Sequence, residues 1–258
     1  MAARAIWKGV LAIGGERLAV KLFSAVQDRT VHFRLLHDED HAPVKQRLVE
    51  PETETAVEFG STQRAYMTPE RDLVVLRSDE LDALEPPASR DIELQRFVPA
   101  GAVDHRWYER PYYLGPDGNA AEYAALTEAV RESGREGIAR WVMRKKEYRG
   151  ALRARDGCLM LITLRSAEEV IVASELGAPA AKALDEREIK MAQQLLSILE
   201  APFDPSQYRD EYRERVLELI EAKSKGKTLR RPAPRRQRIE HDLTKALKAS
   251  LEAERKRA

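Results

Sequence analysis

The hydrophobic period of the chain changes once along its length, and this change restricts the fold more than any other feature. In the first two thirds, large aliphatic residues stand at every second position, as at Leu18, Val20 and Leu22, which is typical of half-buried strands. From Asp185 onward, apolar residues recur every three or four positions, as at Ile189. Because strands come first and helices follow, the pattern predicts an α+β fold with an antiparallel β body.

Turn-forming residues divide the β body into short strand-like segments. Residues 37–67 are mostly polar. A polar segment of this length inside a compact domain is typical of a functional insertion or a disordered loop. Residues 158–164 are almost all apolar, so we expect a central core strand with Cys158 buried in it. The other predicted strands are 18–23, 31–36, 73–76, 92–98, 112–114, 138–144 and 148–155, with short strand character at 44–49 and 56–59.

Three helices are predicted from their end signals. The first covers residues 120–133, between a capping Asn119 and a terminating Gly134. The second begins at Asp185, and the third begins at Asp204 and runs to about residue 223. The last two helices carry more apolar surface than two helices can bury against each other, so we expect them to dock on the barrel or on a second subunit.

The charge of the chain is divided unevenly between its body and its C-terminal tail. Residues 223–258 hold 13 Lys and Arg against four Asp and Glu, whereas the other 222 residues hold 31 against 39. An acidic body with a basic tail favours a polyanionic partner, either a nucleic acid or an anionic membrane surface; a solvated tail without a partner is the alternative. No run of eighteen apolar residues and no signal core occurs, so we expect a cytoplasmic protein.

Few residues favour an enzyme. Cys158 is the single cysteine, which excludes an internal disulfide and a cysteine-rich zinc site. His37 and His41 have the spacing of a helical metal pair, but they follow a predicted strand and precede Pro43, which favours an exposed turn. The sequence has no glycine-rich phosphate loop and no Gly-x-Ser-x-Gly motif.

Nine short segments, taken together, resemble the bacterial Ku family of non-homologous end joining. Their order and spacing over more than two hundred residues carry the resemblance, since each segment alone is weak. The segments are 4–9 (RAIWKG), 20–25 (VKLFSA), 89–93 (SRDIE), 97–100 (FVPA), 111–116 (PYYLGP), 152–157 (LRARDG), 188–193 (EIKMAQ), 203–213 (FDPSQYRDEYR) and 217–223 (LELIEAK).

The resemblance implies a seven-stranded β-barrel core over residues 1–175, interrupted by an extended bridge at about 37–67. It further implies a helical arm for dimerisation at 176–223 and a basic linker with a terminal amphipathic helix at 224–258. Two such subunits would close a ring around the end of double-stranded DNA and engage an ATP-dependent DNA ligase, with no catalysis, no cofactor and no membrane. Many bacterial relatives carry a Cys-x-x-Cys pair in the bridge, whereas this chain has Glu50-Pro-Glu-Thr-Glu54 there, so no metal is expected.

Sequence-independent binding of duplex DNA requires cations that face phosphates. The resemblance places the cations Lys45, Arg47 and Arg64 on the bridge. A second group of cations lies in the predicted strands at 138–144 and 148–155 and the turn between them, and a third group lies in the tail. Lys145 and Lys146 have the alternative interpretation of a charged hairpin turn, and Lys8 and Arg34 are weaker candidates. The remaining predicted DNA contacts are Arg140, Arg144, Lys225, Lys227, Arg230, Arg231, Arg235 and Arg236, and the predicted ligase contacts are Leu243, Leu247 and Leu251.

Two other function classes stay open from the residues alone. One is a general nucleic-acid coating protein that needs no DNA end, and the other is a metal-dependent phosphodiesterase using His37 and His41. The acidic body is the main objection to a DNA ring, and it requires the negative charge to lie on the outer surface.

Overall fold

A computed structural model describes residues 4–177 and 185–226. The chain divides into two compact units, of which the first comprises residues 1–29 and 34–175 and the second comprises residues 30–33 and 176–258. Among the described residues, no helix combines the length and the apolar composition needed to cross a membrane.

The core of the first unit is a closed barrel of seven strands in the order β1-β2-β8-β11-β10-β9-β7. Six neighbouring pairs are antiparallel, and the barrel closes through a parallel pair between β1 and β7. The α+β class and the barrel prediction are therefore confirmed, with one parallel junction that periodicity did not indicate. The strands are β1 (Trp7–Ile13), β2 (Glu16–Ser24), β7 (Asp91–Pro99), β8 (Tyr108–Pro116), β9 (Arg135–Met143), β10 (Lys146–Arg155) and β11 (Cys158–Leu164).

Alternate residues of the strands fill the barrel interior. Because successive side chains on a strand point to opposite faces, Val20 and Leu22 are both fully buried while Lys21 between them is not. Trp141 is the largest buried side chain, and its ring stacks on Tyr148 with centroids 5.5 Å apart. A Cβ atom at Gly150 would lie 2.8 Å from the Trp141 ring, so only glycine at this position leaves room for the indole.

Helix α2 (Ala120–Ser133) packs against β8, β9 and β10. It begins and ends where the sequence predicts, because the Asn119 side chain accepts a hydrogen bond from the backbone of Glu122 and Gly134 adopts a left-handed φ of 59°. The buried Tyr123 hydroxyl donates to the backbone carbonyl of Leu114 and accepts from the backbone N–H of Leu159 at 2.9 Å. These two bonds fasten the helix to the barrel.

The connection between β2 and β7 extends over residues 25–90 and is longer than the predicted bridge at 37–67. It contains two small antiparallel sheets, in which β3 (Leu48–Val49) pairs with β4 (Ala56–Val57) and β5 (Arg64–Met67) pairs with β6 (Leu73–Leu76). Helix α1 (Ser78–Ala83) follows. Residues 73–76 were expected in the β body, but they pair only with β5 outside the barrel, and the predicted strand at 31–36 is absent apart from a single bridge between Leu36 and Pro43.

The second unit contributes two described helices. Helix α3 (Glu186–Leu199) begins at Asp185, whose side chain forms the predicted capping box with Glu188. Helix α4 (Glu211–Ser224) has its cap six residues later than predicted, because Asp204 caps only a short 3-10 turn at Pro205–Gln207 and Asp210 caps the helix itself. Neither helix buries a residue among those the structure describes.

The position of Cys158 differs from the expectation that this residue is buried in the core. It is the first residue of β11, directly after the Asp156-Gly157 turn, and it is exposed rather than part of the core. The burial begins at the next residue, Leu159.

Candidate nucleic-acid interface

The tip of the β9–β10 hairpin carries two consecutive cations in an unusual backbone conformation. Arg144 and Lys145 form a two-residue turn with φ values of 51° and 66°. Two left-handed residues at a hairpin tip favour Asn-Gly, and a long side chain at such a position costs about 1 kcal/mol. The turn therefore keeps positive charge at its tip at the expense of backbone stability.

Two of the four predicted hairpin cations are neutralised by acids of neighbouring segments. The Arg140 guanidinium lies 3.0 Å from Glu93 on β7 and 3.8 Å from Glu147 on β10. The Lys145 ammonium lies 3.0 Å from Glu85. The carboxylate partners raise the pKa of Arg140 and of Lys145, Glu93 being the main cause for the first and Glu85 for the second.

The other two hairpin cations keep their charge available. Arg144 and Lys146 have no acidic oxygen within 4.0 Å in the part of the chain that the structure describes, and the Lys146 ammonium lies 5.5 Å from the centre of the Tyr148 ring. Arg144 also lines an open cavity of about 600 Å³, together with Arg90 and Trp7. Arg90 is not among the residues predicted from the sequence, although segment 89–93 contains it and is part of the family resemblance.

The three bridge cations are exposed, and none of them forms an ion pair with another described residue. Lys45 and Arg47 precede β3, and Arg64 is the first residue of β5, where it stands opposite Leu76. Within residues 4–177 and 185–226, no carboxylate lies within 4.0 Å of any of the three. Lys45 and Arg47 thus lie just before the first small sheet of the connection and Arg64 lies within the second, and each offers an exposed positive charge to an anion.

The weaker candidates differ from each other. Lys8 and Lys21 lie 2.9 Å and 2.7 Å from the two carboxylate oxygens of Asp117. Their hydrogen bonds, that of Lys21 first, hold the pKa of Asp117 below its ordinary value. Lys8 is therefore part of an internal ion pair, whereas Arg34 is exposed and no described acid pairs with it.

The possible metal ligands of the bridge form a turn, as their neighbours predict. His37 Nδ1 lies 2.8 Å from Asp40 Oδ1, and the His41 backbone N–H donates to the His37 carbonyl. In the described ranges, no three His, Cys, Asp or Glu side chains form a group that could hold a metal ion. The arrangement therefore gives no support to a metal-dependent phosphodiesterase.

The predicted tail contacts fall almost wholly outside the described residues. Lys225 is described, and its ammonium forms an ion pair with Glu221 one helical turn earlier in α4. The positions that lie outside the described residues are Lys227, Arg230, Arg231, Arg235 and Arg236, together with Leu243, Leu247 and Leu251.

Comparison with known proteins identifies the family. A family model described as the Ku70/Ku80 beta-barrel domain matches residues 13–191. The chain is 39% identical to the non-homologous end joining protein Ku of Anaeromyxobacter sp. (strain K), over 99% of this chain and 87% of the relative. It is 34% identical to the non-homologous end joining protein Ku 2 of Geotalea uraniireducens (strain Rf4), over 97% and 98%, and 30% identical to the corresponding protein of Bacillus subtilis (strain 168), over 97% and 82%. With its seven-stranded barrel and the long insertion between β2 and β7, the chain belongs to the Ku family.

Proposed function

We propose that this protein binds the ends of double-stranded DNA without sequence preference, as a homodimeric ring, in repair by non-homologous end joining. The observation that carries the proposal is the long insertion into a Ku barrel, which bears the exposed cations Lys45, Arg47 and Arg64 with no acid partner among the described residues. Exposed cations without acid partners can exchange their counterions for phosphates at little cost, and phosphate contacts carry no sequence information.

Neutralised cations are poorer candidates for this role. A phosphate that approached Arg140 would have to compete with Glu93 and Glu147, which already surround the guanidinium. On this argument Arg144 and Lys146 are the DNA contacts of the hairpin, and Arg140 is a structural ion pair between β7, β9 and β10. Arg90 lines the same cavity as Arg144, but the acids Asp82 and Glu85 line it as well, so Arg90 is not added to the proposed contacts.

Exposed apolar side chains support the homodimer. In the β5–β6 sheet, Leu73 is 66% exposed and Val75 is 52% exposed, and Tyr66 and Met67 on the paired strand are exposed as well. By the strand register, Met67, Leu73 and Val75 lie on one face of this sheet, and an exposed apolar face is typical of a surface that a partner covers. A second copy of the same chain is the partner that a closed ring requires.

The tail supports a separate recruiting role. Residues 243, 247 and 251 are leucines at helical spacing beyond a basic, proline-containing linker, and such a segment is typical of helices that fold on a partner. An ATP-dependent DNA ligase is the proposed partner. The protein would then act by binding and recruitment, not by catalysis.

The proposal is tested with one DNA sequence in linear and covalently closed circular form. A threaded ring needs an end, so the linear form should bind much more tightly than the circle. If the ends are joined after binding, the protein should stay on the circle at a salt concentration that removes it from linear DNA, because only the topological link then holds it. Equal binding to both forms and no salt-resistant complex would favour a general nucleic-acid coating protein instead.

A further inference from the structure

We propose that Lys145 is a positioning residue: it ties the C-terminal root of the β2–β7 connection to the hairpin of the barrel, and it does not contact DNA. This inference rests on the proposed function, since it concerns how the cations of the insertion are held for binding. It separates Lys145 from its neighbours Arg144 and Lys146, with which the sequence grouped it.

The geometry at the hairpin tip shows what Lys145 contacts. Its ammonium lies 3.0 Å from Glu85 and 3.8 Å from Asp82, two acids that are sixty or more residues away in sequence. Asp82 belongs to α1, and Glu85 follows that helix directly. Glu85 is 31% exposed and Lys145 is 69% exposed, so the pair is open to water on the lysine side and its strength falls with salt.

Helix α1, which is six residues long, adds no buried side chain to the attachment of the root, whereas Pro86 after it is half-buried and lines two cavities together with Val142 of β9. After Glu85, the chain continues through Pro86 and Pro87, whose fixed φ angles make the link to β7 stiff. A charge contact placed just before a stiff link fixes the direction in which the preceding sheets leave the barrel, because rotation at the link is already restricted.

The same contact removes Lys145 as a phosphate ligand. Two carboxylates lie within 4.0 Å of its ammonium, so a phosphate that approached Lys145 would be repelled by both acids. Arg144, the other residue of the turn, lines the same open cavity as Glu85 but has no carboxylate within 4.0 Å among the described residues. The turn thus combines one cation for attachment with one for binding.

Neutralising the two partners separately distinguishes attachment from contact. If Lys145 positions the connection, Lys145→Gln and Glu85→Gln each weaken binding to a linear duplex by about twofold to fivefold, the size expected for an exposed ion pair. The double variant is no weaker than either single one, and the salt slope of binding stays unchanged. If Lys145 contacts phosphate, Glu85→Gln tightens binding because it removes a negative charge, and Lys145→Gln lowers the slope by about 0.9. That pair of results would overturn the proposal.

Arg144→Gln is the matched control, because it changes the adjacent residue of the same turn at a similar φ. It should lower the salt slope by about 0.9 while leaving α1 unaffected. Hydrogen exchange of the α1 amides measures the attachment of the helix in the absence of DNA. One such amide is the Leu81 N–H, which donates to the Arg77 carbonyl at 3.2 Å. Exchange should accelerate equally in Lys145→Gln and Glu85→Gln, and unchanged exchange in both would refute the attachment. A wild-type chain that fails to bind linear DNA would refute the proposed function while this exchange test still decides the attachment.

Discussion

Neutralising the three cations of the insertion tests the proposed DNA interface directly. The variant is Lys45→Gln, Arg47→Gln and Arg64→Gln in one chain. None of these side chains has a described acid partner, so their removal breaks no ion pair and should leave the barrel folded. Each phosphate contact contributes about 0.9 to the slope of log K against log salt, so three contacts contribute about 2.7.

This slope converts into an affinity difference that is easy to measure. Between about 50 mM and about 200 mM salt, three contacts account for a loss of about fortyfold in affinity, which the variant should no longer show. Fluorescence anisotropy of a labelled linear duplex, titrated at four salt concentrations in that range, yields both slopes. Several duplex sequences should give the same loss, because phosphate contacts do not read bases.

The structure supplies the control for this experiment. Lys8→Gln with Lys21→Gln also removes positive charge from the first unit, but both lysines already pair with Asp117. Their replacement should change the salt slope by much less than one contact. A triple variant with an unaltered slope, or a control variant that loses as much slope as the triple variant, would refute the assignment of the interface by unpaired charge.

Three further predictions concern stability and recruitment. Tyr123→Phe leaves two buried backbone groups without their hydrogen-bond partner, so it should lower the free energy of unfolding by about 1–3 kcal/mol. Thermal unfolding should show this loss as a fall in Tm of about 2–4 °C for each kcal/mol. Lys21 lowers the pKa of Asp117 in the folded state. Their pair therefore stabilises the fold at pH values above the ordinary pKa of 3.8, and this stabilisation is lost as the pH falls through the lowered pKa of the folded state. The Tm difference between wild type and Lys21→Gln should therefore shrink below about pH 3.8, and a constant difference would contradict the pairing. Deleting residues 239–258 should spare end binding and reduce ligase stimulation, and equal stimulation by both chains would exclude a recruiting tail.

Local sequence signals located both ends of α2 and the start of α3, but they placed the start of α4 at Asp204 instead of Asp210. Asn119 and Gly134 bound α2, and Asp185 with Glu188 begins α3, because a cap satisfies backbone groups only a few residues away. The three-strand meander was also predictable, since β9, β10 and β11 are joined by two-residue turns. These features require no knowledge of distant parts of the chain.

Tertiary structure decided which strands the barrel accepts. Residues 73–76 have the composition of a core strand, but β6 pairs with β5 in the insertion, and the barrel closes instead through the parallel β1–β7 pair. Strand-like composition indicates that a segment forms a strand, but it does not show which other strand pairs with that segment. The partner is set by contacts between residues far apart in sequence, so periodicity could not distinguish the two outcomes.

The candidate site divides in the same way. Composition and family resemblance identified Lys45, Arg47 and Arg64 as cations, and their residue types alone determine that they are charged at neutral pH. Only the folded chain shows that Lys145 meets Glu85, sixty residues away, while Arg144 beside it meets no described acid. The sign of a charge is a property of the residue, but its availability to DNA depends on which counter-charge the fold brings within a few ångströms.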